Sequence, residues 1–380
     1  MGTRDTIFAP SFGNRPSMLV GRDGLIDRIV EGLSSAPGSR DRAVLLLGQR
    51  GSGKTVLLWE LADRMRKAGF VVANPTIVSE DLLPRIVEKL ADDADFSPKR
   101  RASGGSVGAL GFSAGLQFQQ APESGKSRQQ QLTELCRELT DKGKGVLFLI
   151  DELQANSLEL KQLVITYQEL VGEGLNVALV MAGLPGAVSA TLNDKVLTFL
   201  NRAPKIALSP LEFGDVDAFY RQSFDQLGLN IASDLRRHAA GFTAGSPYML
   251  QLVGHNVVRY ALPDGEVDES CLADALATSQ IDFENDICRT TLAALSEKDI
   301  EFLSALAQDG EEASMADIAE RMLVTPDYAQ KYRKRLIDSG IIEAAGRGRV
   351  RMAVPYLANH LRKELDCSPC AQVSPTLRRE

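Results

Sequence analysis

The sequence predicts an α/β protein with a parallel sheet, followed by an all-helical unit and a C-terminal winged helix-turn-helix. Apolar strand-like runs alternate with helical patterns in the first half, and the strand signal disappears from about Gly214. The last segment then has the order helix, helix, helix and hairpin. The predicted divisions are an N-terminal tail at 1–15, a core at 16–213, a helical unit at 214–295, a winged helix at 296–365 and a flexible tail at 366–380.

Composition and charge limit the class of protein. The chain has 380 residues, of which 44% are hydrophobic, and a formal net charge of −7. These values are ordinary for a globular protein, and the acidic average argues against a surface dedicated to nucleic acid throughout. No apolar stretch is long enough to span a bilayer, the first residues lack a secretory apolar segment, and the five cysteines are scattered. The sequence therefore predicts a cytoplasmic protein with no membrane partner.

Five apolar runs account for the predicted sheet. Parallel strands need crossover connections, and the helical patterns between these runs supply them. The runs are 43–47, 70–73, 146–150, 177–182 and 205–208. Helical patterns then follow at 215–227, 231–240, 247–261 and 269–295. The Gly- and Ser-rich segment 97–127 fits neither pattern; a flexible insertion and a functional hairpin are both open interpretations.

A glycine-rich loop joins the first run to an amphipathic helix. It reads Gly48-Gln49-Arg50-Gly51-Ser52-Gly53-Lys54-Thr55 and matches G-x-x-x-x-G-K-[ST] in the required context. Glycines allow several backbone N–H groups to approach phosphate oxygens, and the helix adds its positive end. Lys54 is expected to reach the β- and γ-phosphates, and Thr55 to ligate magnesium. The loop therefore predicts a site for ATP and Mg²⁺.

Two carboxylates follow the run 146–150. Asp151 comes directly after it, where a Walker-B acid holds magnesium. Glu152 comes next, where it can orient and polarise a water molecule, so it is the candidate catalytic base. A further strand near Phe70, between the loop and Asp151, indicates the P-loop subclass that has a catalytic glutamate and an added strand.

With these motifs the chain resembles AAA+ or STAND-type P-loop ATPases, in the group of origin-recognition-like initiators and archaeal ATPases. The resemblance spans about 18–363 and includes the box 19–23, the Pro-Leu at 210–211 and GSPYMLQLVG at 245–254. It implies an AAA+-like P-loop sheet with Val20, Gly21 and Arg22 near the adenine. It also implies that the helical unit closes over the nucleotide as a lid, with Pro247 near the base or ribose.

The sequence departs from the family pattern in two places. The lid helix begins Gly-Ser-Pro-Tyr at 245–248, without an arginine that senses the γ-phosphate, and the run 177–182 ends without a polar residue for the attacking water. The resemblance therefore implies slow hydrolysis. Arg202, just before the last strand, resembles the position from which some relatives supply an arginine finger to a neighbouring subunit. The alternative is an ordinary surface arginine.

The C-terminal part of the chain is basic. Residues 326–351 include seven basic and three acidic residues, a net charge of +4. Helical spacing places basic side chains on one face and apolar side chains on the other, and the hairpin alternates in the same way. The candidate DNA-contacting residues are Lys331, Lys334, Arg335, Arg347, Arg349 and Arg351. A charged face on a unit that packs against the ATPase is the alternative interpretation.

Two functional hypotheses follow. The first is a magnesium-dependent ATPase acting as a DNA-associated AAA+-like switch, which binds ATP or ADP and contacts double-stranded DNA through its winged helix. The second is a STAND-type signalling or defence ATPase, whose winged helix regulates nucleotide state and whose partners are further copies of the chain or an effector protein. Duplex binding at low salt discriminates between them.

Overall fold

A central parallel sheet forms the first half of the molecule. The computed structural model describes residues 5, 7–10, 19–73, 81–94, 127–154, 157–195 and 197–367. The segment 97–127, apart from Ser127, and the chain beyond 367 lie outside these residues. The strands are β1 (Ala43–Leu47), β2 (Phe70–Ala73), β3 (Gly145–Ile150), β4 (Val177–Gly183) and β5 (Lys205–Ala207). The five predicted strands are confirmed, with ends shifted by at most one residue.

The spatial order of this sheet is β2-β3-β4-β1-β5. Strands β2, β3 and β4 are buried along their whole length, which explains why their sequences are continuously apolar rather than alternating. β4 lies between β1 and β3, so the strands that precede the glycine-rich loop and Asp151 are not direct neighbours. Both strands nevertheless end at the same edge of the sheet, because all pairs are parallel.

Helices cover both faces of the sheet. They are α1 (Asp23–Leu33), α2 (Lys54–Lys67), α3 (Leu82–Asp93), α4 (Arg128–Asp141), α5 (Leu158–Gly172) and α6 (Pro185–Leu192). Successive strand residues point to opposite faces, so Leu45 belongs to the core that includes α3, α4 and α5, while Leu46 belongs to the core that includes α1 and α2. The sheet therefore lies between two layers of helices, and its strands end together at one edge.

The helical unit follows the sheet. It contains α7 (Phe213–Gln226), α8 (Ser233–Phe242), α9 (Pro247–Tyr260), α10 (Glu269–Phe283), a π-helical segment (Glu284–Cys288) and α11 (Arg289–Ala293). The prediction of a purely helical unit is wrong in one detail, because β6 (Asn230–Ile231) and β7 (Glu266–Val267) pair in parallel. Strands of two residues are too short to show a period in sequence.

The C-terminal unit is built around a three-stranded antiparallel sheet of order β8-β10-β9. Its elements are α12 (Glu297–Ala307), β8 (Glu312–Ser314), α13 (Met315–Arg321), α14 (Pro326–Asp338), β9 (Ile342–Ala344), β10 (Arg349–Met352) and α15 (Leu357–Cys367). One continuous hydrophobic core joins this unit to the helical unit. None of the helices in the described ranges is both long and apolar enough to cross a bilayer.

The same core contains a residue from the start of the chain. Phe8, inside the predicted tail 1–15, is only 5% exposed and packs against Phe219, Tyr220 and Phe224 of α7. A single aromatic residue has no periodicity, so this contact could not be predicted from the sequence. Phe8 therefore packs into the core of the helical unit.

Candidate functional site

A cavity of about 670 Å³ lies between the edge of the parallel sheet and the helical unit. The sheet side supplies residues 50–55 of the glycine-rich loop together with Asp151 and Glu152. The opposite side is formed by the beginning of α9 and by the π-helical segment. Ligand sites in open α/β sheets lie at this carboxyl edge of the strands. The predicted loop and the predicted carboxylates therefore share one cavity.

The glycine-rich loop between β1 and α2 needs its glycines. Gly51 and Gly53 have φ values of 75° and 85°, in the left-handed region where glycine is favoured. A Cβ on Gly48 would overlap Ser52 Oγ, so the loop closes tightly on itself. Ser52 Oγ is buried there without a hydrogen-bond partner. A tight backbone cradle with an unsatisfied hydroxyl fits the phosphate groups of a nucleotide.

Lys54 is the first residue of α2. Its Nζ donates hydrogen bonds to the carbonyl oxygens of Gly48 at 2.9 Å and Gln49 at 2.8 Å. Burial lowers the pKa of Lys54 to about 8, although the nearby carboxylates of Asp151 and Glu152 act in the opposite direction. Because the charged amine is poorly solvated, an anion placed beside it would relieve a cost that burial imposes.

The oxygen groups expected to hold a metal ion are adjacent. Thr55 Oγ1 donates to Asp151 Oδ2 at 2.6 Å, and the backbone N–H of Glu152 donates to Asp151 Oδ1 at 2.9 Å. A hydroxyl and a carboxylate are hard oxygen donors of the kind that Mg²⁺ takes. Glu152 has a φ of 52°, which is strained for a residue with a side chain. The turn after β3 is held by a bond from Leu153 N to Ala182 O at 2.9 Å.

The other predicted nucleotide-contacting residues are divided between the cavity and its surroundings. Val20, Arg22, Arg50 and Pro247 line it. Arg22 is 8% exposed and donates to Ser209 O at 2.6 Å, and burial lowers its pKa. The remaining predicted residues, Gly21, Gly48, Gln49 and Arg202, are not among the lining residues.

Arg202 lies away from the cavity. It is exposed at the end of a 3-10 turn (Thr198–Arg202) that leads into β5. Its role as an arginine finger toward a neighbouring subunit stays a prediction.

Several cavity residues had no assigned role from the sequence. Tyr248, in the Gly-Ser-Pro-Tyr stretch, donates through its hydroxyl to Asp286 Oδ2 at 2.6 Å, and its backbone N–H donates to Gly51 O at 3.3 Å. Burial raises the pKa of Tyr248. Asp286 could not be singled out from the sequence, because its position in the cavity depends on the π-helical segment. Such segments are often found at functional sites. Trp59, the single tryptophan of the chain, also lines the cavity.

The glycine-rich loop also contacts the C-terminal unit. Gln49 Nε2 donates a hydrogen bond to the carbonyl oxygen of Gly340, which follows the end of α14. A Cβ on Gly340 would lie 2.8 Å from Pro185, and a Cβ on Gly186 would lie 3.2 Å from Ser339 Cα, so α6 packs closely on the same turn. The end of α14 is therefore in direct contact with the loop at the cavity.

The predicted DNA-contacting residues occupy two kinds of surroundings. As expected from helical spacing, Ala329, Tyr332 and Leu336 are buried, whereas Lys331 and Lys334 are exposed. Three of the candidate arginines form ion pairs with acidic side chains of the same unit. The pairs are Arg335–Asp299, Arg349–Glu312 and Arg351–Glu343. Lys331, Lys334 and Arg347 form no ion pair with other described residues. The basic surface is therefore narrower than the sequence count suggests.

Comparison with known proteins bears on both ends of the chain. Residues 18–180 match the AAA ATPase domain family, and residues 285–361 match a domain of unknown function (DUF8462). No curated protein matches the sequence. The Walker-type ATPase PABY2304 of Pyrococcus abyssi has a similar fold, with a TM-score of 0.66 and 18% identity, over 92% of this chain and 97% of that chain.

A second solved structure with a similar fold is the ORC2 protein of Aeropyrum pernix in its ADPNP-ADP complexes. Its TM-score is 0.62 and its identity 15%, over 94% of this chain and 96% of that chain. At these identities the likeness concerns the fold, which here extends over the sheet, the helical unit and the C-terminal unit.

Proposed function

We propose that this chain, whose residues 18–180 match the AAA ATPase domain family, is a magnesium-dependent ATPase that acts as a switch, with its nucleotide state controlling the C-terminal unit. The observation that carries this proposal is the hydrogen bond from Gln49 to Gly340. Gln49 belongs to the glycine-rich loop, and Gly340 to the C-terminal unit. A rearrangement of the loop around phosphate would act directly on that bond.

The cavity residues fit Mg²⁺ and ATP by their chemistry. Bound together, these supply a γ-phosphoryl group that can be transferred to water, with the metal spreading its charge. Lys54, whose amine lies at the loop, would bind phosphate oxygens as a cation, and the adjacent Thr55 hydroxyl and Asp151 carboxylate would hold the metal. Glu152 orients and polarises the water. Arg202 is proposed to act on a neighbouring copy, where a cation would stabilise the transition state.

The base of the nucleotide is assigned to the part of the cavity that contains the residues before α1, away from the residues that would bind phosphate and metal. Val20, Gly21 and Arg22 precede α1, and Val20 and Arg22 line that part. Pro247, the first residue of α9, lies next to the glycine-rich loop, where a Cβ on Gly53 would be 3.7 Å from it. Arg22 is already committed to Ser209 O, so its role is to fix the box 19–23 rather than to neutralise phosphate. The helical unit then contributes the wall that faces the loop.

A second route connects the cavity to the C-terminal unit. Within the π-helical segment, Asp286 faces the cavity, whereas Glu284 is buried and accepts a hydrogen bond from Lys363 of α15 at 2.7 Å. His360 Nδ1 of α15 lies 3.5 Å from the same carboxylate. Five consecutive residues therefore touch both the candidate nucleotide site and the last helix. This supports a switch in which the two parts respond together.

Removal of the Gln49 amide tests the switch. In the wild type, ATP is expected to change hydrogen exchange in residues 336–341, because the amides of Ser339, Gly340 and Ile341 close the turn that Gln49 holds. Gln49→Ala should lose most of this response while still binding ATP, as followed by Trp59 fluorescence. Gln226→Ala, at the exposed end of α7, is the matched control. An unchanged ATP response in Gln49→Ala would contradict the proposal.

Contact with duplex DNA is the second candidate function. The order of elements in 296–367 supports the predicted winged helix-turn-helix, and within that prediction α14 is the proposed recognition helix. The specific observation is that Lys331 and Lys334 are exposed on one face of α14 and form no ion pair with the rest of the described unit. Free lysines on such a helix can bind phosphates.

Charge removal separates DNA contact from assembly with protein partners. The double variant Lys331→Ala and Lys334→Ala is expected to weaken duplex binding and to reduce the slope of log K against log salt by roughly one per lysine, measured by fluorescence anisotropy. Arg335 is left intact, because it pairs with Asp299, whose side chain is 4% exposed. Lys298→Ala, a lysine paired with Glu301 on α12, is the control. Absence of wild-type duplex binding at low salt favours the signalling hypothesis.

A further inference from the structure

The beginning of the chain forms a strap, residues 7–10, that lies along one face of α9. Its ring residue, Phe8, packs edge-on against Phe219 at a centroid distance of 5.8 Å and sits against Gly254 of α9. A Cβ on Gly254 would overlap the Phe8 ring. Glycine inside a helix is less stable than alanine, and the space it leaves for Phe8 accounts for its presence here.

Hydrogen bonds hold the strap in register with α9. Asp5 Oδ1 accepts from the backbone N–H of Phe8 at 2.9 Å, and Asp5 Oδ2 lies 2.7 Å from His255 Nδ1. Gln251 Oε1 accepts from the backbone N–H of Ala9 at 2.9 Å. The α9 positions 251, 254 and 255 are spaced three and four residues apart, so they share one helix face. The strap is thus fixed by a ring socket and by bonds on either side of it.

This fixation places Ala9 and Pro10 in the wall of the cavity. The cavity lining also includes the apolar residues Leu19, Val20 and Leu250, in contrast to the charged and hydroxyl groups at the glycine-rich loop. An apolar section next to a phosphate-binding section suits a flat nucleobase. Because α9 also carries Pro247 and Tyr248 over the loop, one helix sets the positions of both sections.

We propose that Phe8 is a positioning residue for the nucleotide base: seated against Gly254, it holds Ala9 and Pro10 as a wall of the base-binding section. The inference rests on the proposed nucleotide site and adds a part that lies outside the AAA domain match at 18–180. Affinity for the base then depends on the strap, whereas affinity for the phosphates depends on the loop.

Two ligands separate these contributions, ATP and inorganic tripolyphosphate, each with Mg²⁺ and each followed by calorimetry and Trp59 fluorescence. Phe8→Ala is expected to weaken ATP binding about tenfold, the size of a lost apolar wall contact, and to change tripolyphosphate binding little. Gly254→Ala should have the same effect, because the added methyl group displaces the ring. Phe8→Leu, which still fills the socket, should restore most of the affinity for ATP.

Control variants separate the effect of the ring socket from damage to the fold and from loss of the nucleotide site. Gly→Ala inside a helix ordinarily stabilises the helix, so weaker ATP binding in Gly254→Ala identifies the ring socket rather than damage to α9. Phe213→Ala, a half-exposed aromatic of the same unit outside the cavity, should bind both ligands normally. Equal losses for ATP and tripolyphosphate, or unchanged ATP affinity in Phe8→Ala and Gly254→Ala, would overturn the inference. Lys54→Ala reports on the nucleotide site itself: if it binds both ligands normally, the proposed site fails, whatever Phe8 does.

Discussion

Lys54→Ala is expected to abolish ATP binding. Lys54 Nζ is held at the centre of the loop by the carbonyl oxygens of Gly48 and Gln49, within a cavity that also contains the carboxylates of Asp151 and Glu152. Without the lysine, the phosphates would meet two acidic side chains and no amine at that position, so attraction would become repulsion. Calorimetry with ATP and Mg²⁺ measures the loss, and the fluorescence of Trp59 provides an independent signal.

Lys67→Ala is a matched control for this variant. Lys67 is the last residue of α2, as Lys54 is the first, and its side chain is exposed. The control therefore removes the same chemical group from the same helix at the end remote from the cavity. It should bind ATP as the wild type does. ATP affinity that survives in Lys54→Ala would remove the glycine-rich loop from the proposed site.

The pH dependence of ATP binding has a defined sign. Burial lowers the pKa of Lys54 from 10.5 to about 8, so the amine of the free protein loses its proton as pH rises through about 8. Binding phosphate needs that proton, and ATP affinity should fall above pH 8, approaching tenfold per unit of pH for a single linked proton. Stability of the free protein changes oppositely: the cost of burying the charge is present below pH 8 and is relieved between pH 8 and 10.5. Lys54→Ala, which is expected not to bind ATP, should lack this rise in stability between pH 8 and 10.5.

The sheet and the glycine-rich loop could be read from the sequence because their signals are local. Strands β2, β3 and β4 are buried on both faces and therefore appear as unbroken apolar runs. The loop has fixed spacing between its glycines and Lys54, and Asp151 directly follows a buried strand. Each signal lies within a few consecutive residues, where period and spacing are informative.

The connections between units could not be read in this way. Phe8 reaches Gly254 across most of the chain, and Gln49 reaches Gly340 in the same manner. Such contacts depend on how elements pack, and neither partner carries a periodic signal. The π-helical segment (Glu284–Cys288) likewise lies inside what sequence shows as one long helical pattern. These contacts are the ones that connect the candidate nucleotide site with the rest of the molecule.

The sum of charges along the sequence overestimates the unpaired positive charge on the C-terminal unit. The segment 326–351 is basic, but acidic partners for two of its arginines come from outside it: Asp299 on α12 pairs with Arg335, and Glu312 on β8 pairs with Arg349. Asp299 is also part of the capping box of α12 with Ser296, so Arg335 supports the fold of the unit. A sum over consecutive residues omits such partners, because ion pairs form between elements distant in sequence.

Glu152→Gln is expected to keep ATP binding and to lower turnover by about 10²–10⁴-fold, the usual contribution of a general base. Glutamine keeps the length of the side chain and the same unfavourable preference for the φ of 52° at this position, so the variant removes the charge and little else. Phosphate release at saturating ATP measures turnover, and calorimetry measures binding. Glu173→Gln, just beyond the far end of α5 and outside the cavity lining, is the matched control.

The wild-type rate itself is expected to be low, because β4 ends at Gly183 and is followed by Leu184 at the cavity, without a polar side chain there to hold the attacking water. A larger residue is not tolerated at that point, since a Cβ on Gly183 would lie 2.7 Å from Leu153 Cβ. Orientation of the water then falls to Glu152, and its removal should cost nearly all turnover. A Glu152→Gln protein that releases phosphate at the wild-type rate would assign the base to another residue, whereas one that loses ATP binding as well would place Glu152 in the binding step.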